Sequence, residues 1–127
     1  MNDIGNGTGV IAIVDDDASA RLSLLRVVQS AGYQAETFAS TREFLDWLPR
    51  NHAACLMLDV HMNDLSGFDL HERLAVPTIF ITARDDAPTL ERIAKSRAAG
   101  HLRKPFAAPT ILDAIRRAIR TTRERLP

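Results

Sequence analysis

Short apolar runs alternate along this chain with longer segments in which apolar residues recur every three or four positions. Short runs rich in apolar and β-branched residues are typical of strands that are buried on both faces of a sheet. Four such runs are clear and a fifth is weaker, and they predict strands at residues 10–14, 34–38, 53–58, 78–81 and 101–103. The pattern therefore predicts five short strands, with helical segments between them.

The helical segments carry local start and stop signals. Gly32 closes a helix at about 18–31, Ser40–Glu43 forms a capping box that opens a short second helix, and Pro49 stops that helix. Asp86 precedes a helix that extends to about residue 97, and Pro109 lies at the start of the last one. A further short helix is expected at about 68–75. The apolar residues expected to face the core are Leu24, Leu25, Val28, Phe44, Leu45, Leu48, Ile111, Leu112, Ile115 and Ile119.

Strands that alternate with amphipathic helices predict an α/β fold. The order is (βα)5, and a doubly wound parallel sheet with right-handed crossovers follows from it. The flavodoxin-like strand order 2-1-3-4-5 is the usual one at this length. We expect a single domain over residues 1–127, with a core at about 9–122 and a flexible N-terminal segment at 1–8.

Composition narrows the classes of partner. The 127 residues have a formal net charge of zero, which argues against attraction of the whole molecule to nucleic acid or to a membrane. The sequence has neither an apolar stretch of membrane-spanning length nor a signal peptide. The one cysteine, Cys55, lies in an apolar run and predicts a buried structural thiol in a reducing, cytoplasmic compartment.

Polar residues with a shared chemistry follow the predicted strands. Asp15 and Asp16 follow the first strand, Asp59 the third, Thr82 the fourth, and Lys104, one of two lysines in the chain, the fifth. Ligands of open α/β sheets bind outside the carboxyl ends of the strands, so these side chains should converge. Three carboxylates in one pocket repel each other, and an all-oxygen ligand set favours Mg²⁺ as the cation that relieves this repulsion. A lysine and a hydroxyl in the same pocket suit a phosphoryl group, and a carboxylate can accept one.

The segments that contain these residues resemble the receiver domains of response regulators over about residues 9–122. The matching segments are IVDDD at 13–17, LMLDVHMNDLSG at 56–67, IFITAR at 79–84 and KPF at 104–106. Any one of them is a weak signal, and their common order at strand ends is a strong one. The likeness is greatest to receivers that precede helix-turn-helix output domains.

The resemblance implies a role for each matching residue. Asp59 would be the phosphoacceptor, supplied by the phosphohistidine of a sensor histidine kinase or of a phosphotransfer protein. Asp16, Asp59 and the backbone carbonyl of His61 would bind Mg²⁺, and Asp15 would act through water. Thr82 would donate to the phosphoryl group and Lys104 would pair with it, next to a Lys104–Pro105 bond that is cis in the family. Such a domain is a switch rather than an enzyme, since it catalyses only its own phosphorylation and slow dephosphorylation.

The same resemblance implies partners and a switching surface. The surface would be formed by the fourth and fifth predicted helices and the strand between them, and it would contact a downstream protein, an output domain or a second copy of the chain. Thr82 would move first and His101 second. His101 stands where the family usually has Tyr or Phe, so we expect the activated state to be more populated above about pH 7 than near pH 6, unless the imidazole stays exposed and inert.

Other functions fit the residues less well. A phosphorylation-independent pseudo-receiver that only binds partners would usually lack one of the acids or the lysine. A haloacid-dehalogenase-like phosphatase would have an acid at His61, and the GxxxxGK[ST] loop of nucleotide hydrolases is absent. Asn63 and the Ser96–Arg97 pair also depart from the family pattern, and these departures concern the switching step more than the phosphorylation step.

Several polar residues have simpler interpretations. Asp17 is expected to cap the first helix, and His52 and His71 to lie on the surface. The last helix has five arginines that form either a solvated face or a partner surface, namely Arg116, Arg117, Arg120, Arg123 and Arg125.

Overall fold

Five parallel strands form one sheet in the computed structural model, which describes residues 9–61, 70–71, 73–83 and 87–124, the last four of these by their backbone alone. The sheet order is β2-β1-β3-β4-β5, and every neighbouring pair is parallel. The strands are β1 (Val10–Val14), β2 (Ala35–Phe38), β3 (Ala53–Asp59), β4 (Thr78–Thr82) and β5 (Gly100–Arg103). The predicted fold class and strand order are therefore confirmed.

Helices cover both faces of this sheet. They are α1 (Ala18–Ser30), α2 (Thr41–Trp47) with a 3₁₀ turn at Leu48–Arg50, α3 (Ala87–Lys95) and α4 (Ala108–Glu124). Within the described ranges, no helix is long and apolar enough to cross a membrane. Of the helix predicted at about 68–75, residues 70, 71 and 73 are helical, 74 and 75 are not, and the other three lie outside the described residues. The cap Asp86 and the segment 1–8 also lie outside them.

Alternation along the strands builds two cores. On β1, Ile11 and Ile13 belong to the core beneath α1 and α4, whereas Ala12 and Val14 belong to the core beneath α2 and α3. Successive side chains of a strand point to opposite faces, so a short apolar strand serves both layers. The carboxyl ends of the central strands are thereby held between two packed layers.

The last helix corrects one detail of the predicted core. Ile111 and Ile115 are buried as expected, but Leu112 is half-buried and packs with neither core, and Ala118 is buried instead. Residues 111, 115 and 118 follow the spacing of a single helix face, and Leu112 lies about 100° round the helix from Ile111.

The capping signals form with one shift. Ser40 Oγ accepts the Glu43 N–H at 3.1 Å, but the Glu43 carboxylate accepts from Ala39 N–H at 3.2 Å, one residue before the cap itself. Gly32 follows α1 with a φ of 92°, the left-handed conformation that glycine adopts at low cost. Pro49 lies inside the 3₁₀ turn, so the second helix tightens before it stops.

The one cysteine has the structural role expected of it. Cys55 is fully buried in β3 within the core beneath α1 and α4. Burial raises the pKa of its thiol to about 12, although the backbone N–H of Leu56 lowers it slightly. The thiolate is therefore scarce at neutral pH, and this thiol is not a reactive nucleophile.

Candidate functional site at the carboxyl edge of the sheet

Strand register brings the predicted acids together. Val14 pairs with Leu58 across β1 and β3, so Asp15 and Asp59 are the next residues on adjacent strands. Both are almost completely buried, while Asp16 is exposed. Carboxylate oxygens of the three residues lie within 4.8 Å of one another. The predicted convergence at the carboxyl edge is present.

The backbone around Asp15 is tightly held. Its N–H donates to Phe38 O at 3.1 Å, its Oδ1 accepts the Asp17 N–H at 2.9 Å, and its carbonyl accepts from Arg21 Nη1 at 2.7 Å. Its second carboxylate oxygen, Oδ2, lies 2.9 Å from Lys104 Nζ. That contact is an ion pair without hydrogen-bond alignment, and Oδ2 has no hydrogen-bond partner within the described residues.

Lys104 reaches the acids from the opposite side of the site. It follows β5, and its backbone N–H donates to Thr82 O at 2.9 Å, which fixes where its side chain starts. The ammonium also lies 3.4 Å from Asp59 Oδ2. Burial alone would lower the pKa of Lys104, but attraction to the carboxylates of Asp15 and Asp59 outweighs it, so the pKa lies above its ordinary value. Lys104 is therefore a fixed cation between two buried acids.

Asp59 is held in an environment that does not favour its charge. Burial raises its pKa above the ordinary value of 3.8, and the negative charge of Asp15 raises it further. The His61 N–H, which donates to Asp59 Oδ1 at 2.8 Å, and the Lys104 ammonium act in the opposite direction without cancelling the rise. The Asp59 carboxyl group therefore loses its proton less readily in the fold than it would in water.

We expect Asp59→Asn to raise the free energy of unfolding at neutral pH in metal-free buffer, because the amide removes a buried charge and keeps an oxygen for the His61 N–H. A raised folded pKa means that the penalty is absent below the unfolded pKa of 3.8 and grows as the pH rises through the folded pKa. The advantage of the variant should therefore be larger at about pH 7 than at about pH 4. Urea unfolding followed by fluorescence of Trp47, the one tryptophan, measures it. A variant less stable than wild type at neutral pH would contradict the expectation.

The donor set fits a small, hard divalent cation. A buried carboxylate oxygen that lacks a hydrogen bond, Asp15 Oδ2, lies beside two further carboxylates within 4.8 Å. Oxygen ligands of this kind suit Mg²⁺, which combines one or two carboxylates with water. In such a site Asp16 and Asp59 would hold the ion, and Asp15 would act near it.

The other predicted site residues differ in burial and in distance from the carboxyl edge. Thr82 ends β4 and is 1% exposed, one step beyond the residue that pairs with Asp59. The His61 side chain is exposed, and the backbone contact described for this residue is made by its N–H. His101 is exposed on β5 opposite Phe80. The pH dependence expected of His101 stays a prediction.

Simpler interpretations hold for some residues and fail for one. Asp17 caps α1, since its carboxylate accepts the Ser19 N–H at 3.0 Å. Arg116, Arg117 and Arg120 are exposed, whereas the side chains of Arg123 and Arg125 lie outside the described part of the chain.

His52 is exposed as expected, but the surface position predicted for His71 is wrong. The His71 ring is half-buried and packs edge-on against buried Phe80, with 5.3 Å between the ring centres. His71 lies in the short helix predicted at about 68–75. The helical pattern does not indicate which residue of β4 its ring would contact.

The hydrogen bond from Arg21 to the Asp15 carbonyl was not predicted from the sequence. Arg21 lies in the first turns of the helix that follows the acidic run, and helical side chains lean toward the N-terminus of their helix. A long cationic side chain in the first turns of the helix could have indicated a contact with the acidic run.

Comparisons with known proteins agree with this geometry. A family model described as the response regulator receiver domain matches residues 11–116. Nodulation protein W of Bradyrhizobium diazoefficiens is 37% identical over 91% of this chain and 53% of its own length, and the response regulator protein TodT of Pseudomonas putida is 34% identical over 94% and 55%. The crystal structure of a response regulator receiver protein from Burkholderia phymatum covers 88% of this chain and 95% of its own, with 37% identity and a TM-score of 0.79.

The matches cover most of this chain but only part of each curated relative. The chain spans about half the length of the curated relatives it matches, so the likeness concerns their receiver part. The family match covers most of the chain, including the positions of Asp15, Asp16, Asp59, Thr82 and Lys104. Because the family model matches most of the chain and the sheet has the strand order of such domains, the chain belongs to the response regulator receiver domain family of two-component signalling.

Proposed function

We propose that this domain accepts a phosphoryl group on Asp59 from the phosphohistidine of a sensor histidine kinase or a phosphotransfer protein, in a reaction that needs Mg²⁺. The observation that carries the proposal is the juxtaposition of Asp59 with Asp15, Asp16 and Lys104 at one edge of the sheet. The site residues, the single-domain core at about 9–122 and the cytoplasmic location are parts of the same proposal.

The transfer itself follows from the chemistry of the pocket. The ionised Asp59 carboxylate attacks phosphorus, the phosphorus–nitrogen bond of the donor breaks, and its electron pair returns to the imidazole nitrogen, which takes up a proton. The His61 N–H holds Asp59 Oδ1 at 2.8 Å and fixes the carboxylate plane, so the nucleophile is oriented before the donor arrives. Bound Mg²⁺ supplies positive charge to the phosphoryl oxygens.

Lys104 and Thr82 complete the binding of the phosphoryl group. The Lys104 ammonium already lies 3.4 Å from Asp59 Oδ2 and needs little movement to meet a phosphoryl oxygen. The Thr82 hydroxyl is the donor at the end of the neighbouring strand. Preorganised donors of this kind stabilise charge that spreads over the equatorial oxygens in the transition state.

Signalling would use the surface of α3, β5 and α4. In this proposal Thr82 moves toward the phosphoryl group, His101 responds on β5, and the altered surface binds a downstream protein, an output domain or a second copy of the chain. Such a domain acts as a switch and not as a classical enzyme.

Mass spectrometry of the wild-type protein tests the proposal. Incubation with acetyl phosphate and Mg²⁺ should add one phosphoryl mass, and omission of Mg²⁺ or addition of EDTA should prevent it. A protein that binds Mg²⁺ but gains no phosphoryl group from acetyl phosphate or from a panel of phosphorylated kinases would instead be a phosphorylation-independent pseudo-receiver.

Adjacent acids should differ in their effect on Mg²⁺. We expect Asp16→Asn to weaken Mg²⁺ binding by at least about tenfold, since it removes a ligand charge. Asp17→Asn is the matched control, because asparagine caps a helix as well as aspartate does and the Ser19 N–H keeps its acceptor. NMR titration with Mg²⁺ measures both affinities. Equal losses of Mg²⁺ affinity in the two variants would show that the ligand role cannot be assigned to Asp16 rather than to Asp17.

A further inference from the structure

Arg21 connects α1 to the acidic pocket through the main chain. Its Nη1 donates a 2.7 Å hydrogen bond to the carbonyl of Asp15, and its side chain is half-buried. A charged donor to a backbone carbonyl makes one of the stronger hydrogen bonds in proteins. Within the part of the chain that the structure describes, Arg21 forms no ion pair with a carboxylate of the pocket, so it does not act as a simple counterion.

That carbonyl belongs to the peptide plane that carries the N–H of Asp16. The Asp16 side chain is exposed and makes no hydrogen bond or ion pair within the described ranges, so no side-chain partner orients it. Its direction depends on the backbone before it. Asp15 is held there through its N–H, its Oδ1 and its carbonyl, and Arg21 supplies the last of these contacts.

We propose that Arg21 is a positioning residue for the Mg²⁺ site, which fixes the Asp15–Asp16 peptide so that the Asp16 carboxylate is held near Asp15 and Asp59. The inference rests on the proposed function, since it assigns Arg21 to the metal site of that reaction. Preorganisation of a ligand reduces the entropy that metal binding must overcome.

Electrostatics alone predicts the opposite result, which makes the proposal testable by sign. A guanidinium that bonds to the backbone of Asp15 repels a cation that enters the acidic pocket, so its removal would tighten Mg²⁺ binding if charge were all that mattered. Loss of a positioning contact weakens binding instead.

The experiment is an Mg²⁺ titration by NMR or calorimetry on wild type, Arg21→Met, Arg21→Lys and Arg26→Met. Arg26 is an exposed arginine on the same helix, so Arg26→Met removes the same charge without the contact to Asp15. Arg21→Met should weaken Mg²⁺ binding roughly tenfold, the lower end of the range for residues that orient metal ligands. Arg21→Lys should recover part of the affinity, and Arg26→Met should bind as wild type does.

Thermal unfolding separates positioning from general support of the fold. A residue that only supports the fold would lower the melting temperature equally in EDTA and in Mg²⁺, whereas Arg21→Met should also show a smaller rise on addition of Mg²⁺. If Arg21→Met does not fold, the affinity of Arg21→Lys, expected between those of wild type and Asp16→Asn, decides the question.

Two outcomes would overturn the inference. Unchanged or tighter Mg²⁺ binding in Arg21→Met, with wild type binding Mg²⁺ normally, would overturn it while leaving the proposed function intact. Failure of the wild-type protein to bind Mg²⁺ would overturn both.

Discussion

Asp59→Asn is expected to abolish phosphorylation by acetyl phosphate or by a phosphorylated kinase, with a rate at least ~10³-fold below wild type. An amide oxygen is a far weaker nucleophile than a carboxylate, while the similar shape of asparagine leaves an acceptor for the His61 N–H at the same place. Intact-mass spectrometry after incubation with the donor and Mg²⁺ measures the result.

Asp46→Asn provides the matched control for this variant. Asp46 is an exposed acid on α2, and its substitution removes one negative charge without touching the pocket. It should be phosphorylated at the wild-type rate. A full phosphoryl gain in Asp59→Asn, or a wild-type phosphoryl group mapped by peptide sequencing to Asp16, would remove Asp59 from the assigned role.

The placement of the site could be predicted from sequence because it depends on strand ends. In a parallel sheet the carboxyl ends meet at one edge, so a residue that ends a buried apolar run is located by the run itself. Asp15, Asp59, Thr82 and Lys104 are all of this kind, and the structure brings them to that edge. The burial of Cys55 could be predicted in the same way, because a thiol in such an apolar run is covered by the layers that pack on the strand.

Contacts set by side-chain reach could not be predicted in the same way. The bond from Arg21 to the Asp15 carbonyl depends on how α1 leaves β1, and the packing of His71 on Phe80 depends on how the segment before β4 lies on that strand. Leu112 shows the related limit within one element. A helix pattern identifies an apolar stripe, but the edge of that stripe is decided by what packs against it.

The sequence predicted that Lys104 lies beside the acids, and the ion pairs that it makes there add to the role expected of the lysine. The role proposed for Lys104 in phosphoryl binding does not describe what the lysine does before a metal or a phosphoryl group is bound. In the structure, Nζ lies 2.9 Å from Asp15 Oδ2 and 3.4 Å from Asp59 Oδ2, so the ammonium already relieves repulsion between two buried acids. Lys104 and a bound cation would therefore compete for the same carboxylates.

Lys104→Met should for this reason have three effects of different sign. Metal-free stability should fall by about 1–3 kcal/mol, less than the ~3–5 kcal/mol of a fully buried pair because a fifth of the lysine side chain is exposed. Mg²⁺ affinity should rise, since a competing positive charge is removed from the pocket. Phosphorylation at saturating Mg²⁺ should fall about 10²-fold, because the phosphoryl oxygens lose a preorganised donor.

Lys95→Met separates these effects from the loss of any lysine. Lys95 pairs with Glu91 at 3.2 Å on the surface of α3, where the side chains are 75% and 70% exposed, and such exposed pairs contribute at most about 0.5 kcal/mol. Urea unfolding with and without Mg²⁺, Mg²⁺ titration and the rate of phosphoryl gain should all leave Lys95→Met close to wild type. If Lys104→Met bound Mg²⁺ more weakly than wild type, the lysine would be organising the acids for the metal rather than competing with it. If it kept the wild-type phosphorylation rate, the ammonium would serve only the metal-free fold.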